Sequence, residues 1–542
     1  MINNNKRDKF ILQAGILAIA GILCRIIGIL YRSPLTSIIG DEGNGYYSSA
    51  YNIYTIILLI SSYSIPSAIS KIIAGRLALK EYRNAHKIFI CSLIYVIVVG
   101  GAASLFAFFG AGYLVDEHSV IVLRVFAPTI FLSGLLGVLR GYFQAHKTML
   151  QTSFSQIIEQ IMNAVVSILA AYLLMQTVSH ADATTQAIYG AMGSAMGTGM
   201  GVVIALIFMW SVYGLNRKLI HKRIRHDVTE NELSYSSIYK IIFFMVTPVI
   251  LSTFIYNFST SLNYTLYSKI LKNVGGYSSS DIATVYGIFA GKAVVIANIP
   301  IAIASAMSAA IIPTVATTHA NGDYVGTNKK ISEAIQTTML IAIPSAIGLT
   351  VLAEPIVALL FPQKESLALA ANLLRGLSVT VVFFSLSTLT NAFLQGVGKV
   401  NLPVINAAIS LVVQTIVLVV LLLFTDLNLY ALVIAMIVYS LLMCILNGIS
   451  LKRCLGYRET IIKTFVLPLL SACIMGLVAF FVYEGVYVVI KRNTISLIFS
   501  ILVAVVVYFV AVIKTGTLTR EELCHLPKGG KIVRVAEKLH LL

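Results

Sequence analysis

Apolar residues run along this chain in long stretches broken by short polar segments. They fall at roughly 11–40, 47–70, 88–112, 119–140, 153–176, 187–213, 236–266, 281–312, 334–353, 368–394, 401–424, 428–450, 461–484 and 493–513. Most reach the ~20 residues needed to cross ~30 Å of hydrocarbon. Within hydrocarbon only helices and closed barrels satisfy every backbone group. The runs are continuous and lack the alternation of a barrel strand. The pattern predicts an all-α membrane protein with about fourteen transmembrane helices.

Composition agrees. Of 542 residues, 58% are hydrophobic and 11% charged, against roughly 25% charged in soluble domains. The net charge of +17 does not point to nucleic acid, because the basic residues sit between apolar spans, as in membrane proteins. With the N-terminus placed in the cytoplasm, 29 of the 39 Lys and Arg fall on the cytoplasmic side and 5 in outer loops. That bias predicts a multi-pass membrane protein with both termini cytoplasmic. Lys6, Arg7 and Lys9 precede an apolar run too long for a signal peptide, so a retained first helix is expected. The basic run Arg217, Lys218, Lys222, Arg223 and Arg225 lies between spans six and seven and suits a topology anchor near anionic lipid. The tail 515–542, with Ile532, Val533, Val535 and Leu539, reads as a surface segment. Six cysteines show no CxxC spacing and suit small core residues better than a disulfide or metal framework.

Two weak self-similarities suggest a repeat. Ile65-Pro66-Ser67-Ala68-Ile69 resembles Ile299-Pro300-Ile301-Ala302-Ile303, each in the second helix of a six-helix block. Tyr142-Phe143-Gln144 resembles Phe393-Leu394-Gln395, each at the end of the fourth. Both matches fit two parallel six-helix lobes followed by two C-terminal helices, with boundaries at 1–226, 227–455 and 456–542. Two such lobes are expected to enclose a central cavity and to rock about it.

Ionisable residues within spans are costly and usually functional. Arg25 lies halfway along helix 1. Arg32 lies seven residues on, along the same helical face. Arg124 lies in the outer part of helix 4, Lys292 near the middle of helix 8 and Arg375 in the outer part of helix 10. Pairing or snorkelling toward the interface is the alternative for Arg32, Arg124 and Arg375. Glu159, in helix 5, is the one carboxylate clearly within a span; it would bind a coupling ion, hold a substrate amide or neutralise an arginine. Five cations against one carboxylate favour an anionic substrate, and arginine in particular grips phosphate bidentately. No Walker A, HExxH or GxSxG sequence is present, so neither ATP hydrolysis nor another enzymatic reaction is expected. No cofactor is expected either; a monovalent ion or the membrane potential would supply the energy.

Several strings carry a family resemblance. Arg25-Ile26-Ile27-Gly28-Ile29-Leu30-Tyr31-Arg32 is followed by Ile39-Gly40-Asp41-Glu42-Gly43-Asn44-Gly45-Tyr46, and Val138-Leu139-Arg140-Gly141-Tyr142-Phe143-Gln144 by Ser155-Gln156-Ile157-Ile158-Glu159-Gln160. These resemble the stage V sporulation protein B and MurJ group of lipid II flippases, within the multidrug/oligosaccharidyl-lipid/polysaccharide exporter superfamily. Ile341-Ala342-Ile343-Pro344-Ser345-Ala346-Ile347 is similar to the MurJ branch. The resemblance implies a MATE-like fold of two lobes and outward movement of a lipid-linked peptidoglycan precursor. It implies head-group contacts at Arg25, at Arg32 and, on helix 8, at Lys292; the charges that MurJ carries in helix 2 have no counterpart in residues 51–64. Membrane lipids and cell-wall synthases are the expected partners. Export of another lipid-linked oligosaccharide, of capsule or teichuronic type, is the competing reading. A multidrug antiporter fits less well, because it wants acidic groups in its cavity, and a scaffold without transport is a third class.

Overall fold

The computed structural model describes residues 20–518, apart from 22, 29, 64, 147, 226, 228–231, 362 and 458. The basic N-terminus and the tail from 519, with the surface segment expected there, lie outside the described residues. Among these residues every regular element is helical. Eleven helices are long and apolar enough to cross a membrane, from Tyr82–Leu114 to Asn493–Lys514. They coincide with eleven of the fourteen apolar runs. The count of fourteen is not confirmed: the runs at 11–40, 47–70 and 236–266 do not reach that standard among the described residues.

The chain forms two compact units, Met1–Gly291 and Lys292–Leu542. The first holds α1 (Arg32–Leu58), α2 (Ile65–Ala78), α3 (Tyr82–Leu114), α4 (Val120–Ala145), α5 (Met149–Thr177), α6 (Ala183–Arg225), α7 (Tyr235–Asn273) and α8 (Ser279–Ile288). The second holds α9 (Val294–Ala320), α10 (Tyr324–Val351), α11 (Ala353–Leu360), α12 (Leu367–Gly396), α13 (Asn401–Phe424), α14 (Leu429–Leu455), α15 (Leu467–Ile490) and α16 (Asn493–Lys514).

In the first unit α5 and α6 pack most intimately, and the reason is small residues. Gly193, Gly197 and Gly201 recur every four residues along α6, on one face. A Cβ there would lie 2.4 Å from the Ala171 nitrogen, 2.0 Å from Ser167 Oγ and 2.6 Å from the Glu159 carbonyl oxygen. Such stripes let backbones approach where lipid supplies no hydrophobic drive between helices. Ser167 uses the proximity to donate across to the Ser194 carbonyl at 3.0 Å.

Two departures from regular helix sit at comparable places. A π-helical turn, Leu59–Tyr63, precedes Pro66, and a second, Phe289–Ala293, precedes Pro300. Proline lacks an N–H and disturbs the ladder of the preceding turn, which accounts for the first; the second ends seven residues before Pro300, beyond that reach, and single π turns often mark functional positions. Both turns fall in the spans paired by the Ile-Pro repeat.

The gap between the apolar runs ending at 40 and starting at 47 carries Gly40, Gly43 and Gly45, yet α1 continues through it, with one break: Gly40 has φ 71° and ψ −179°, a conformation that only glycine adopts cheaply. Asp41–Leu58 then resumes as helix, burying Gly43, Asn44 and Gly45. A second difference concerns α6. The apolar run ends at 213, yet the helix extends to Arg225. Its 43 residues span about 65 Å at 1.5 Å each, twice the hydrocarbon thickness. The basic run is thus the helical end of α6.

In the second unit a polar knot is buried between α12, α13 and α14. Asn447 Nδ2 donates to Asn391 Oδ1 at 2.7 Å and to Thr390 Oγ1 at 3.2 Å. Asn406 Nδ2 donates to Asn447 Oδ1 at 2.8 Å and to Ser450 Oγ at 3.1 Å. The amides satisfy one another, as buried polar groups must.

Candidate functional site

Arg32 opens α1, and its surroundings are aromatic. The guanidinium carbon lies 5.1 Å from the centre of the Tyr47 ring, within the range of a cation–π contact. Tyr47 and Tyr51 stack at 5.6 Å, and Tyr54 stacks on Phe126 of α4 at 4.7 Å. Tyr47 and Tyr54 are buried while Tyr51 is partly open. Arg32 Nη1 is buried and has no hydrogen-bond partner among the described residues. An arginine packed on a ring face, with a buried nitrogen that no described residue satisfies, has a donor free for an anion. Arg25 precedes it in the helical segment 23–28 and is exposed. That stretch runs beside α5, since a Cβ on Gly28 would lie 3.2 Å from Gln160 Nε2.

Glu159 is engaged. Arg140 Nη2 donates to its Oε2 at 2.6 Å, and Arg140 also donates from Nε and Nη2 to Ser155 Oγ at 2.9 and 2.7 Å. The arginine side chain is 14% exposed and the carboxylate 29%. Arg140 belongs to α4 and reaches across to α5.

The other cations are also placed. Lys292 lies in the second π-helical turn, buried, with Nζ donating to Ser366 Oγ at 2.6 Å and standing 5.8 Å from the Phe361 ring centre. Arg124 is exposed; its Nε donates to the Phe108 carbonyl at 3.4 Å and its guanidinium caps the Phe108 ring at 5.7 Å. Arg375 lies 3.8 Å from Glu354 and donates to Asn372 Oδ1 at 2.6 Å, with both partners of the ion pair well exposed. Of the candidates in the first unit, Arg25 lies seven residues before Arg32 at the start of α1, Arg124 lies apart on α4, and Glu159 pairs with Arg140.

A further polar set, not singled out by the sequence, joins α1 to α7 and α8 within the first unit. Glu42 Oε1 accepts from Tyr46 Oη at 2.8 Å and from Ser280 Oγ at 2.6 Å. Asn52 Nδ2 donates to Tyr286 Oη at 3.1 Å, and Ser261 Oγ to the Asn52 carbonyl at 3.1 Å. Asp116 accepts from Tyr264 Oη and, at 3.2 Å, from Ser268 Oγ. The helices meet through glycine from both sides. A Cβ on Gly45 would lie 1.9 Å from the Ala283 carbonyl oxygen, and one on Gly287 1.9 Å from that of Asp41. The only sequence signal for this set is the spacing Gly287-x-x-x-Gly291 beside the glycines of 40–45.

Comparison with known proteins adds an independent line. The family model described as Lipid II flippase MurJ matches residues 85–498. The lipid II flippase MurJ of Bacillus subtilis (strain 168) is 24% identical over 492 residues, covering 87% of this chain and 88% of its own length. Stage V sporulation protein B of the same organism is 20% identical over 534 residues, covering 97% of this chain and 99% of its own. Among solved structures, a lipid II flippase MurJ in an inward closed conformation superposes with a TM-score of 0.63 at 16% identity, covering 91% of this chain and 97% of that one.

Proposed function

Because the chain belongs to the lipid II flippase MurJ family, we propose that it carries lipid II, a polyprenyl-pyrophosphate-linked cell-wall precursor, from the inner to the outer leaflet by alternating access. Both termini lie in the cytoplasm on this reading, following the bias of 29 basic residues against 5.

The observation that carries the site is Arg32. A buried polar atom without a partner costs ~1–3 kcal/mol, and a pyrophosphate repays that cost with charge-assisted, bidentate hydrogen bonds. Arg25, exposed seven residues earlier in the chain, engages the head group at another point of its path. The tyrosines at 47 and 51 hold the guanidinium while leaving its fork open. Lys292, bonded to Ser366, contributes positive potential without direct contact. Arg124 and Arg375, held at exposed positions by Phe108 and Glu354, anchor their helices at the membrane interface. The polyprenyl tail remains in lipid while the head group passes. A membrane potential that is negative inside assists outward movement of the anion by ~2.3 kcal/mol per charge per 100 mV.

Complementation tests this reading. The chain is expressed in cells conditionally depleted of their lipid II flippase, alongside Arg25→Ala, Arg32→Ala and Arg32→Lys at matched membrane levels. Wild type is expected to restore growth and both alanine variants to fail. Arg32→Lys keeps the charge, loses the fork and is expected to rescue weakly. A well-expressed wild type that fails would move the substrate to another lipid-linked oligosaccharide. Full rescue by Arg32→Ala would remove Arg32 from the head-group site.

A further inference from the structure

A second cavity lies in the first unit, away from Arg25 and Arg32. It occupies about 160 Å³ where α3, α4, α5 and the basic end of α6 come together. That is close to the ~150 Å³ of a cavity that holds one benzene ring. One wall is aromatic. Tyr142 and Phe143 line it, and Tyr142 is fixed by Phe89 at 4.5 Å and by the His146 ring at 4.5 Å. The polar lining includes His86, His146, Thr148, Gln151, Asn216 and Arg223.

Two of these groups have unmet needs. His86 Nδ1 and Gln151 Oε1 are buried and lack hydrogen-bond partners among the described residues. Buried side-chain polar atoms normally have a partner, so two such atoms on one small cavity mark a place built to receive hydrogen bonds. The Gln151 oxygen, as assigned, accepts and calls for an N–H or O–H donor. His146 Nδ1 lies 2.9 Å from the Tyr142 carbonyl, which can only accept. The proton is therefore on Nδ1, leaving Nε2 as the second acceptor when the ring is neutral. Arg223 is exposed and supplies the only permanent charge among the lining residues, so it asks for an anion. Lys222 and Arg225 beside it on α6 reinforce the field.

We propose that this cavity binds a soluble pyrimidine nucleotide, with the base against Tyr142 and Phe143, its N–H edge toward Gln151 and His86, and its phosphate on Arg223. The space suits a single flat base. An aromatic wall beside buried hydrogen-bonding atoms favours a flat heterocycle over a sugar, because such a ring offers an apolar body with a polar edge. With the α6 end in the cytoplasm, as proposed above, the site is open to cytosolic nucleotide. An occupant would tie together the ends of four helices and so bias the transport cycle from a point remote from the head-group site.

The binding test does not depend on transport, so its failure and that of the flippase reading are separable. The full chain is placed in nanodiscs of phosphatidylcholine and titrated calorimetrically with UMP, CMP, AMP, uridine and inorganic phosphate. UMP or CMP is expected to bind saturably, with uridine and phosphate weaker by about tenfold or more for want of one half of the ligand. Gln151→Leu and Arg223→Gln are each expected to lower affinity by about tenfold. Arg223 is exposed, so its variant keeps the test open if Gln151→Leu misfolds. Absence of UMP and CMP binding up to about 10 mM, or binding that survives both substitutions, overturns the proposal. So does tighter binding of AMP. Nanodiscs containing phosphatidylglycerol form the remaining arm: loss of nucleotide binding there, relieved by Arg223→Gln, would assign the cavity to a lipid phosphate instead.

Discussion

The pair formed by Arg140 and Glu159 gives the sharpest test of how charge is used inside the first unit. Removing one partner of a fully buried pair costs ~3–5 kcal/mol, whereas an exposed pair contributes ~0–1 kcal/mol. Here the side chains are 14% and 29% exposed, and Arg140 keeps two hydrogen bonds to Ser155 when the carboxylate is lost. Glu159→Gln, which preserves shape and one acceptor, should therefore cost about 2 kcal/mol. Arg140→Met should cost about as much, since it leaves the carboxylate unpaired. The double variant should recover part of the loss, with an interaction energy of about 1–2 kcal/mol. The assay is detergent-denaturant unfolding of the four proteins, with complementation measured in parallel. If Glu159→Gln leaves stability unchanged and transport abolished, the structural account is refuted and Glu159 is a coupling carboxylate.

Two more predictions follow from contacts. Gly45→Ala places a methyl 1.9 Å from a backbone oxygen, so α1 and α8 must separate by more than 1 Å, at an overpacking cost of about 1–3 kcal/mol. Cysteines at positions 42 and 280 should cross-link in the parent and much more slowly with Gly45→Ala; an unchanged rate would show that the two helices do not approach as described. The second concerns the connection before α15, where burial pushes the Glu459 carboxyl above its ordinary value despite hydrogen bonds from Tyr457 and Thr464. The folded state thus prefers the protonated form, and stability should fall as pH rises from about 4.5 to the raised folded value. Glu459→Gln should flatten that decline and raise the melting temperature at neutral pH; an unaltered pH profile would contradict it.

Hydropathy alone located eleven spans that the described residues match, because lipid leaves the backbone no choice but helix. What it missed has a physical cause in each case. A window average registers apolarity and not backbone state, so neither the break at Gly40 nor the π-helical turns at Leu59–Tyr63 and Phe289–Ala293 leaves a trace in it. It ended α6 at 213 because hydropathy falls there, although arginine, lysine and leucine are good helix formers and carry the helix to Arg225. The α1–α8 crossing was invisible for a different reason. Gly45 and Gly287 are far apart in sequence, and only three-dimensional proximity reveals that each makes room for the other's helix.

The charge argument changes most when geometry is added. From sequence, five intramembrane cations faced one carboxylate, and the surplus implied an anionic substrate. In the structure Glu159 belongs to Arg140, so it offsets none of the five. Arg375 is matched by Glu354, Arg124 sits on the Phe108 ring and carbonyl, and Lys292 bonds to Ser366 within the second unit. What is left is Arg25, exposed, and Arg32, with a buried nitrogen that no described residue satisfies. The surplus is thereby narrowed from a general positive field to two guanidinium groups seven residues apart along a largely helical stretch. Since seven residues are about two helical turns, the two groups stand roughly 10 Å apart along the axis, so one pyrophosphate, whose phosphorus atoms are adjacent, would meet them only by long side chains converging from both ends. That geometry favours successive engagement, with Arg25 and Arg32 acting at different points of the head group's path. It predicts that Arg25→Ala and Arg32→Ala lower apparent affinity and turnover in different proportions.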